Sequence, residues 1–456
     1  MEFASMGTKK HTVLMASLSL ALACMPASAE TLKDALQAAY LQNPQLEAQR
    51  KQTAQAQEQL AQARAQRRPQ VTASASYGYE SVDTNRPFAF NNGDQPVSTA
   101  QLQATVPVYT GGRIASGIRQ AKAGINTANA QLEGAGQDLI LQVITAYVDV
   151  LRDRETISIR ENSVALLEEQ LQAALDRFEV GVVTRTDVAQ SEARLEGARA
   201  SLAAAQAALE ASEAGYAFLV GQSAGDLETV PPAPTLPESI DEALQVALDQ
   251  NPDLEASRFN ETVAAEGVKF AYSALKPTVS IIGTASRSDT YDDNFRDTSV
   301  TAVAQASVPL FEGGLRRSQV RAAKLQRDSA RFQTDNVERQ LRAQVAQAFF
   351  GHQAALKSIE ASQRQVEAAE IAYEGAQEEL AVGVRTTLDV LDQEQQLLEA
   401  RLNLIRAQRD AYVAAHQLLR AMGGLELDRL QLDVVAYDPD NYGEFVRRNW
   451  LLTDTE

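Results

Sequence analysis

Two stretches decide how this chain folds: Val106-Pro-Val-Tyr-Thr-Gly-Gly-Arg-Ile-Ala-Ser-Gly-Ile-Arg-Gln-Ala-Lys122 and Val308-Pro-Leu-Phe-Glu-Gly-Gly-Leu-Arg-Arg-Ser-Gln-Val-Arg-Ala-Ala-Lys324. They are one passage written twice, 202 residues apart. Before each Gly-Gly pair, apolar and polar residues alternate with the period of a half-buried strand; after it the spacing is helical. Gly111-Gly112 and Gly313-Gly314 therefore read as strand-to-helix junctions. No Gly-Lys-Ser/Thr follows them, so neither is a phosphate loop.

The duplication extends outward in both directions. Thr31 to Arg50 reappears as Ser239 to Arg258, and Pro69 reappears at Pro277, both at an offset of 208. Val180-Gly-Val-Val-Thr-Arg-Thr-Asp-Val188 returns as Val382-Gly-Val-Arg-Thr-Thr-Leu-Asp-Val390, again 202 apart. A period near 200 is too long for a solenoid, so the repeating unit has the size of a domain. The division expected is a signal peptide over 1–29, a first repeat over 30–221, and a Pro-rich linker over 222–238 around Pro231 to Pro237. A second repeat over 239–424 and a tail over 425–456 follow.

The signal has three parts: Lys9 and Lys10, an apolar run from Val13 to Cys24, and Ala27-Ser28-Ala29 before Glu30. Met6 begins a more ordinary signal than Met1. Lipidation at Cys24 is the weaker alternative, because Ala21-Leu22-Ala23 matches a lipobox poorly. Cleavage after Ala29 removes Glu2, Lys9 and Lys10 and takes the formal charge from −18 to −19. It also removes the chain's one Cys and leaves His352 and His416 as the histidines, so disulfides and thiol chemistry are excluded. The acidic balance argues against nucleic acid as a partner. No later window offers 18 uninterrupted apolar residues, leaving a periplasmic, released or β-barrel protein.

Each repeat reads as short helix, helix, two strands, very long helix, turn, helix. In the strands Val71, Ala73, Ala75, Tyr77 and Tyr79 share one face, as do Ala100, Leu102, Ala104, Val106 and Val108. Val279, Ile281 and Ala285, and then Val300, Ala302, Ala304, Ala306, Val308 and Leu310, repeat the pattern. Strands of about ten residues suit a tilted membrane crossing. Tyr77, Tyr79, Phe88, Phe90, Tyr109, Tyr291, Phe295 and Phe311 gather around them like an interfacial girdle. A soluble β-sandwich with one wet face is the competing reading. Four strands cannot close a barrel and open edges are not tolerated in lipid, so several chains must pool them; three copies give twelve.

From Arg113 to about Gly181 nothing interrupts the helix pattern, although Gly117, Gly124, Gly134 and Gly136 weaken it. Such a helix reaches about 100 Å. Its apolar positions recur every seven residues, at Ile118, Ile125, Leu132 and Leu139, then at Val143, Val150, Ile157, Val164, Leu171 and Phe178. The second copy repeats the stripe at Val345, His352, Ile359, Val366, Tyr373 and Leu380. That period means supercoiling against neighbours. The fold class is thus α+β: long helices supercoiled against neighbours, four transmembrane strands per chain in a shared twelve-stranded barrel, and an internal duplication.

Little in the chain can carry chemistry. His352 lies on the apolar stripe, and His416 has no partner at ligand spacing, so no metal site is expected. No cofactor fingerprint and no nucleophile–base set is present, and enzyme function is not expected. Asp389 and Asp392 share a helix face three residues apart. In a trimer they make six carboxylates round an axis, where like charges raise one another's pKa and attract cations. The spacing alone leaves open a charged constriction, a solvated helix face, or an Asp at a helix start.

Together, the duplicated units, the Val-Pro-(Tyr/Phe)-x-Gly-Gly junctions and the Val-Gly-Val turns make the chain resemble the TolC family of outer-membrane channels. The resemblance implies a homotrimeric channel-tunnel: a twelve-stranded barrel in outer-membrane lipid, continued by a trimeric α-helical barrel across the periplasm of a Gram-negative bacterium. It implies docking with a periplasmic adaptor (membrane fusion) protein and an inner-membrane ABC or proton-driven pump. Asp389 and Asp392 match the acidic pair at the periplasmic entrance, and Arg385 matches the arginine that latches it to the inner turn carrying Thr186 and Asp187. Val180, Gly181 and Val182, with Val382, Gly383 and Val384, match the tips that contact the adaptor. Leu380 departs from the family, whose latch has a tyrosine there. The function expected is the passive exit duct of a tripartite export system, for type I protein secretion first and small-molecule efflux second. A secreted coiled-coil structural protein is the remote alternative.

Overall fold

The structure, a computed structural model, describes residues 29–82, 93–290, 295–426, 429 and 437–448. The first repeat runs α1 (Leu32–Gln42), α2 (Pro44–Ala65), β1 (Gln70–Val82), β2 (Gly93–Tyr109), α3 (Arg113–Glu179) and α4 (Arg185–Val220). The second gives the same order: α5 (Ile240–Gln250), α6 (Pro252–Ser273), β3 (Thr278–Thr290), β4 (Phe295–Ser307), α7 (Leu315–Ala381) and α8 (Thr387–Met422). A short helix, α9 (Pro439–Arg448), lies beyond them.

One asparagine per repeat organises the helical middle of the chain. Asn43 ends α1 and caps α2, its Oδ1 accepting from Gln45 N at 2.9 Å and Leu46 N at 3.3 Å. Pro44 at the first helical position has no N–H to lose there. The Asn43 Nδ2 donates to Leu219 O at 3.0 Å, tying the pair to the end of α4. Asn251 does the same for α5 and α6 and reaches Ala421 O, also at 3.0 Å.

Around this belt lies the main core. Val143, Ile144, Tyr147 and Val150 of α3 pack with Tyr216 and Val220 of α4, Leu254 of α6, Val345 of α7 and Leu418 of α8. Each such aliphatic side chain contributes on the order of 1.5–3 kcal/mol by leaving water. The Tyr147 hydroxyl lies 2.8 Å from Glu30 O and 2.7 Å from Glu228 O, and the Tyr216 hydroxyl donates to the Glu30 carboxylate at 2.6 Å. The residue expected at the cleaved N-terminus is thus stitched to the linker.

Helices α3 and α7 each hold 67 residues without a break, about 100 Å at the α-helical rise. The glycines at 117, 124, 134 and 136 do not interrupt α3. Four antiparallel strands form one sheet in chain order, leaving β1 and β4 as its edges. The register puts Val71, Ala73, Ala75, Tyr77, Leu102, Ala104, Ile281, Ala285, Val300 and Ala302 on one face, as the alternation requires. The strands run 13 to 17 residues, longer than expected. β4, however, stops at Ser307, so Val308 and Leu310 lie outside it. Pro309 between them has no N–H to offer a ladder. The expected signal peptide up to Ser28, Phe88, Phe90 and Tyr291 lie outside the described residues.

The tail carries structure that its sequence did not announce. α9 packs on α2, where the Tyr442 hydroxyl donates to Glu58 at 3.0 Å. The buried Arg50 guanidinium lies over the rings of Tyr40 and Tyr437, at 4.7 and 5.4 Å.

Candidate functional site

Each long hairpin ends in a two-valine tip. Val180 and Val182 flank Gly181, and Val382 and Val384 flank Gly383; the four valines are 72–75% exposed. Gly181 and Gly383 sit at φ 78° and 80°, the left-handed region in which a side chain is strained. The Schellman-type bonds Val182 N to Arg177 O and Val384 N to Glu379 O, both 2.9 Å, close the helix ends.

The returning helices start with matched capping boxes. In α4 the Asp187 carboxylate accepts from Thr184 N and Oγ1, both at 2.8 Å. In α8 the Asp389 carboxylate accepts from Thr386 N at 2.9 Å and Oγ1 at 2.7 Å. Those donors, with Arg385 adding to them, hold Asp389 below the ordinary carboxylate value. Within one chain, hydrogen bonding to the charged form of Asp389 prevails. Asp389 serves the helix start, as one of the readings left open by its spacing required.

Asp392 is held differently. Its Oδ1 accepts from Arg194 Nη2 of α4 at 2.6 Å, and the same guanidinium contacts Gln395. Arg385 pairs with Glu379 at its own tip. Within the chain it is not brought to Thr186, which is exposed, or to Asp187, which is held by Thr184. Asp187 and Leu380 instead line a cleft of about 140 Å³ between the two hairpins, with Arg177, Gln377 and Thr387.

Four residues at this end escaped the sequence reading: Arg194, Glu379, Glu394 and Ser163. Glu394 is 7% exposed. Its Oε1 accepts from Ser163 Oγ at 3.3 Å, while Oε2 has no hydrogen-bond partner among the described residues. Burial raises its pKa to about 7, against the opposing pull of Ser163 and Arg194. It lines a polar cavity of about 370 Å³ with Arg160, Ser163, Arg194 and Glu399. A signal for part of this was present in the repeat itself. Asp389 has a counterpart in Asp187, whereas Asp392 aligns with Gln190 at the 202 offset. The offset separates the duplicated capping residue from the acid found in one copy.

The remaining candidates have structural surroundings. At the junctions, Gly111 and Gly112 have φ 65° and 95°, and Gly313 and Gly314 have φ 59° and 89°. A Cβ on Gly111 would lie 2.7 Å from Lys276 Cβ and 2.8 Å from Ser273 O, so that junction also needs the space. His416 is buried, with Nδ1 2.8 Å from Tyr412 O and its ring against Tyr412. Burial lowers the pKa of His416 and of the half-buried His352. Among the described residues no three potential ligands gather as a metal site. None of the described helices is long and apolar enough to cross a membrane.

Comparison with known proteins agrees with this architecture. The family model described as outer membrane efflux protein matches residues 35–222 and 243–424. The outer membrane efflux protein BepC of Brucella suis is 31% identical over 433 residues, 93% of this chain and 92% of that protein. The alkaline protease secretion protein AprF of Pseudomonas aeruginosa is 28% identical over 355 residues, 75% and 72% of the two chains. The crystal structure of the Campylobacter jejuni CmeC outer membrane channel superposes with a TM-score of 0.78 at 18% identity, covering 90% of this chain and 88% of that one. Long helices of the tunnel type and a strand sheet of the barrel type are therefore parts of a channel fold, placed in the outer membrane and the periplasm. The chain belongs to the outer membrane efflux protein family, whose members are channel proteins rather than enzymes.

Proposed function

We propose that this chain is the passive outer-membrane exit duct of a tripartite export system. Three copies pool their strands into a twelve-stranded barrel and their helices into a periplasmic tunnel. The observation that carries the reading is the pair of exposed valine tips, set about 100 Å of helix away from the sheet. Apolar side chains left bare at the far end of a rigid helix suit contact with another protein. The tips Val180-Gly181-Val182 and Val382-Gly383-Val384 take the periplasmic adaptor protein. Asp392, with Asp389 behind it, lines the entrance constriction, and Arg385 latches it to a neighbouring turn carrying Thr186 and Asp187. Gly111-Gly112 and Gly313-Gly314 carry the chain from barrel to tunnel. The duct catalyses no reaction, and an inner-membrane pump supplies the energy.

For cargo, the first reading is a polypeptide handed over by an ABC transporter in type I secretion. It is supported by the similarity to AprF, a protein named for protease secretion. The second is small-molecule efflux through an ABC or proton-driven pump, favoured by the 31% identity to BepC, named as an efflux protein. The supernatant proteome of a strain lacking this chain separates them. Loss of one or a few abundant proteins identifies a secretion duct. An unchanged supernatant with raised dye and antibiotic accumulation identifies an efflux duct, and no change in either overturns both.

A further inference from the structure

The apolar face of the sheet has a polar end. Across the four strands the register aligns Tyr77 with Ser98, Ser98 with Asp289, and Asp289 with Arg296. At a strand spacing of about 4.8 Å this row is about 14 Å wide. Arg287 lies two residues along β3 on the same face. All of these side chains alternate in register with Val71, Ala73, Ala75, Leu102, Ala104, Ile281, Ala285, Val300 and Ala302, the face that meets hydrocarbon in a barrel. The helices join the sheet at Gln70, Tyr109, Thr278 and Ser307, so the row sits at the opposite, outer end.

The charges in the row do not balance. Asp289 is shared by two guanidinium groups, Arg287 Nε at 3.2 Å and Arg296 Nε at 3.3 Å. One carboxylate cannot neutralise both, so the pair keeps one positive charge in excess on a chain of net charge −18. Both arginine side chains remain more than half exposed, at 51% and 69%. Their Nη groups are aimed at no protein acceptor among the described residues. An arginine on the lipid face costs most at the bilayer midplane and little at the interface, which places these two at headgroup level. The exposed rings of Tyr77 and Tyr79 lie at the same level, where tyrosine prefers to sit.

We propose that Arg287 and Arg296 form an outward-facing site for a phosphate group on the outer-leaflet glycolipid. Asp289 offsets only one of the two positive charges, and the free Nη faces supply the planar fork that suits phosphate oxygens. A trimer presents three such sites round the barrel. The site rests on the outer-membrane placement and adds the lipid chemistry that it selects.

The test uses the purified full chain in detergent and native mass spectrometry. The probes are lipid A carrying its two phosphates and the same lipid A with the phosphates removed. The expected result is retention of the phosphorylated lipid over the dephosphorylated one by about tenfold, lost in Arg287→Gln/Arg296→Gln. Equal retention of the two lipids by the native chain, or an unchanged preference in the double variant, overturns the site. Should the double variant fail to insert, Asp289→Asn gives an independent reading. Removing the shared carboxylate raises phosphate preference several-fold, and an unchanged or lower preference overturns the proposal. Outer-membrane fractionation of the native chain tests the placement separately from the phosphate preference.

Discussion

Arg194 and Asp392 stand on different repeats, yet their side chains meet at 2.6 Å. The residues next to them explain why. Leu195 and Leu391 are buried against each other and Leu167, a small core that clamps α3, α4 and α8 together. Arg194 and Asp392 project from the edge of that clamp. Within one chain, Asp392 is thus already paired with a cation.

Removing the arginine should therefore unmask the acid. In Arg194→Ala, block of single-channel current by a trivalent cation added at the tip side is expected to strengthen at least about fivefold, since each unit of cation charge gains roughly 1 kcal/mol in water-like surroundings. Stability should change by less than about 1 kcal/mol, because both partners are substantially exposed. Planar-bilayer recordings decide this, and unchanged block would take Asp392 out of the conducting path.

Arg385 offers the complementary test. It pairs with Glu379 on its own tip, an exposed contact that contributes little to folding. Arg385→Ala is expected to raise conductance and antibiotic leak while leaving the unfolding midpoint in place. If conductance and susceptibility match the native chain, the arginine serves the tip alone and not a latch.

Glu394 should impose a pH dependence. Its carboxyl is buried and its pKa is raised to about 7. A raised folded-state value means that the associated stability is fully present below the unfolded value, near pH 4.5. It is lost as pH rises through about 7. Glu394→Gln should remove that decline and be more stable than the native chain at pH 8, by at most roughly 3 kcal/mol. Ser163 and Arg160 of α3, Arg194 of α4 and Glu399 of α8 line its cavity, and none is altered by the substitution. Chemical denaturation at pH 5 and pH 8 gives the answer; parallel pH profiles for the two chains would show that Glu394 stays ionised.

At the tips, Val182→Asp with Val384→Asp should abolish export and leave folding intact. Exposed substitutions away from special features cost within about 0.5 kcal/mol. Cross-linking yield to the adaptor and cargo export are expected to fall together. Export at the native level would show that these valines do not dock the partner.

Much of this arrangement could be read in the residues. The 202-residue offset fixed the order of elements, because two copies of Val-Pro-(Tyr/Phe)-x-Gly-Gly can have the same strand-to-helix turn only if both halves fold alike. Period-two alternation gave the faces of β1 to β4, since side chains on a pleated strand have no third direction. The pairing of Arg194 with Asp392 was illegible, because 198 residues separate them and their encounter depends on how two hairpins lean together. The docking of α9 on α2 was hidden for the same reason: Tyr437 and Arg50 show no pattern until they stack.

By itself, then, the sequence determined the duplication, the two periodicities and the positions of the turns, all of which depend on neighbours a few residues apart. Tertiary structure decided which acid caps a helix, which is paired, and which lies buried without a full set of partners. Asp389, Asp392 and Glu394 are chemically similar and five residues apart at most. Their contacts and reach follow from different surroundings: two donors from Thr386, one guanidinium from α4, and a cavity that excludes most water. Such surroundings are assembled from distant segments, so no local pattern encodes them.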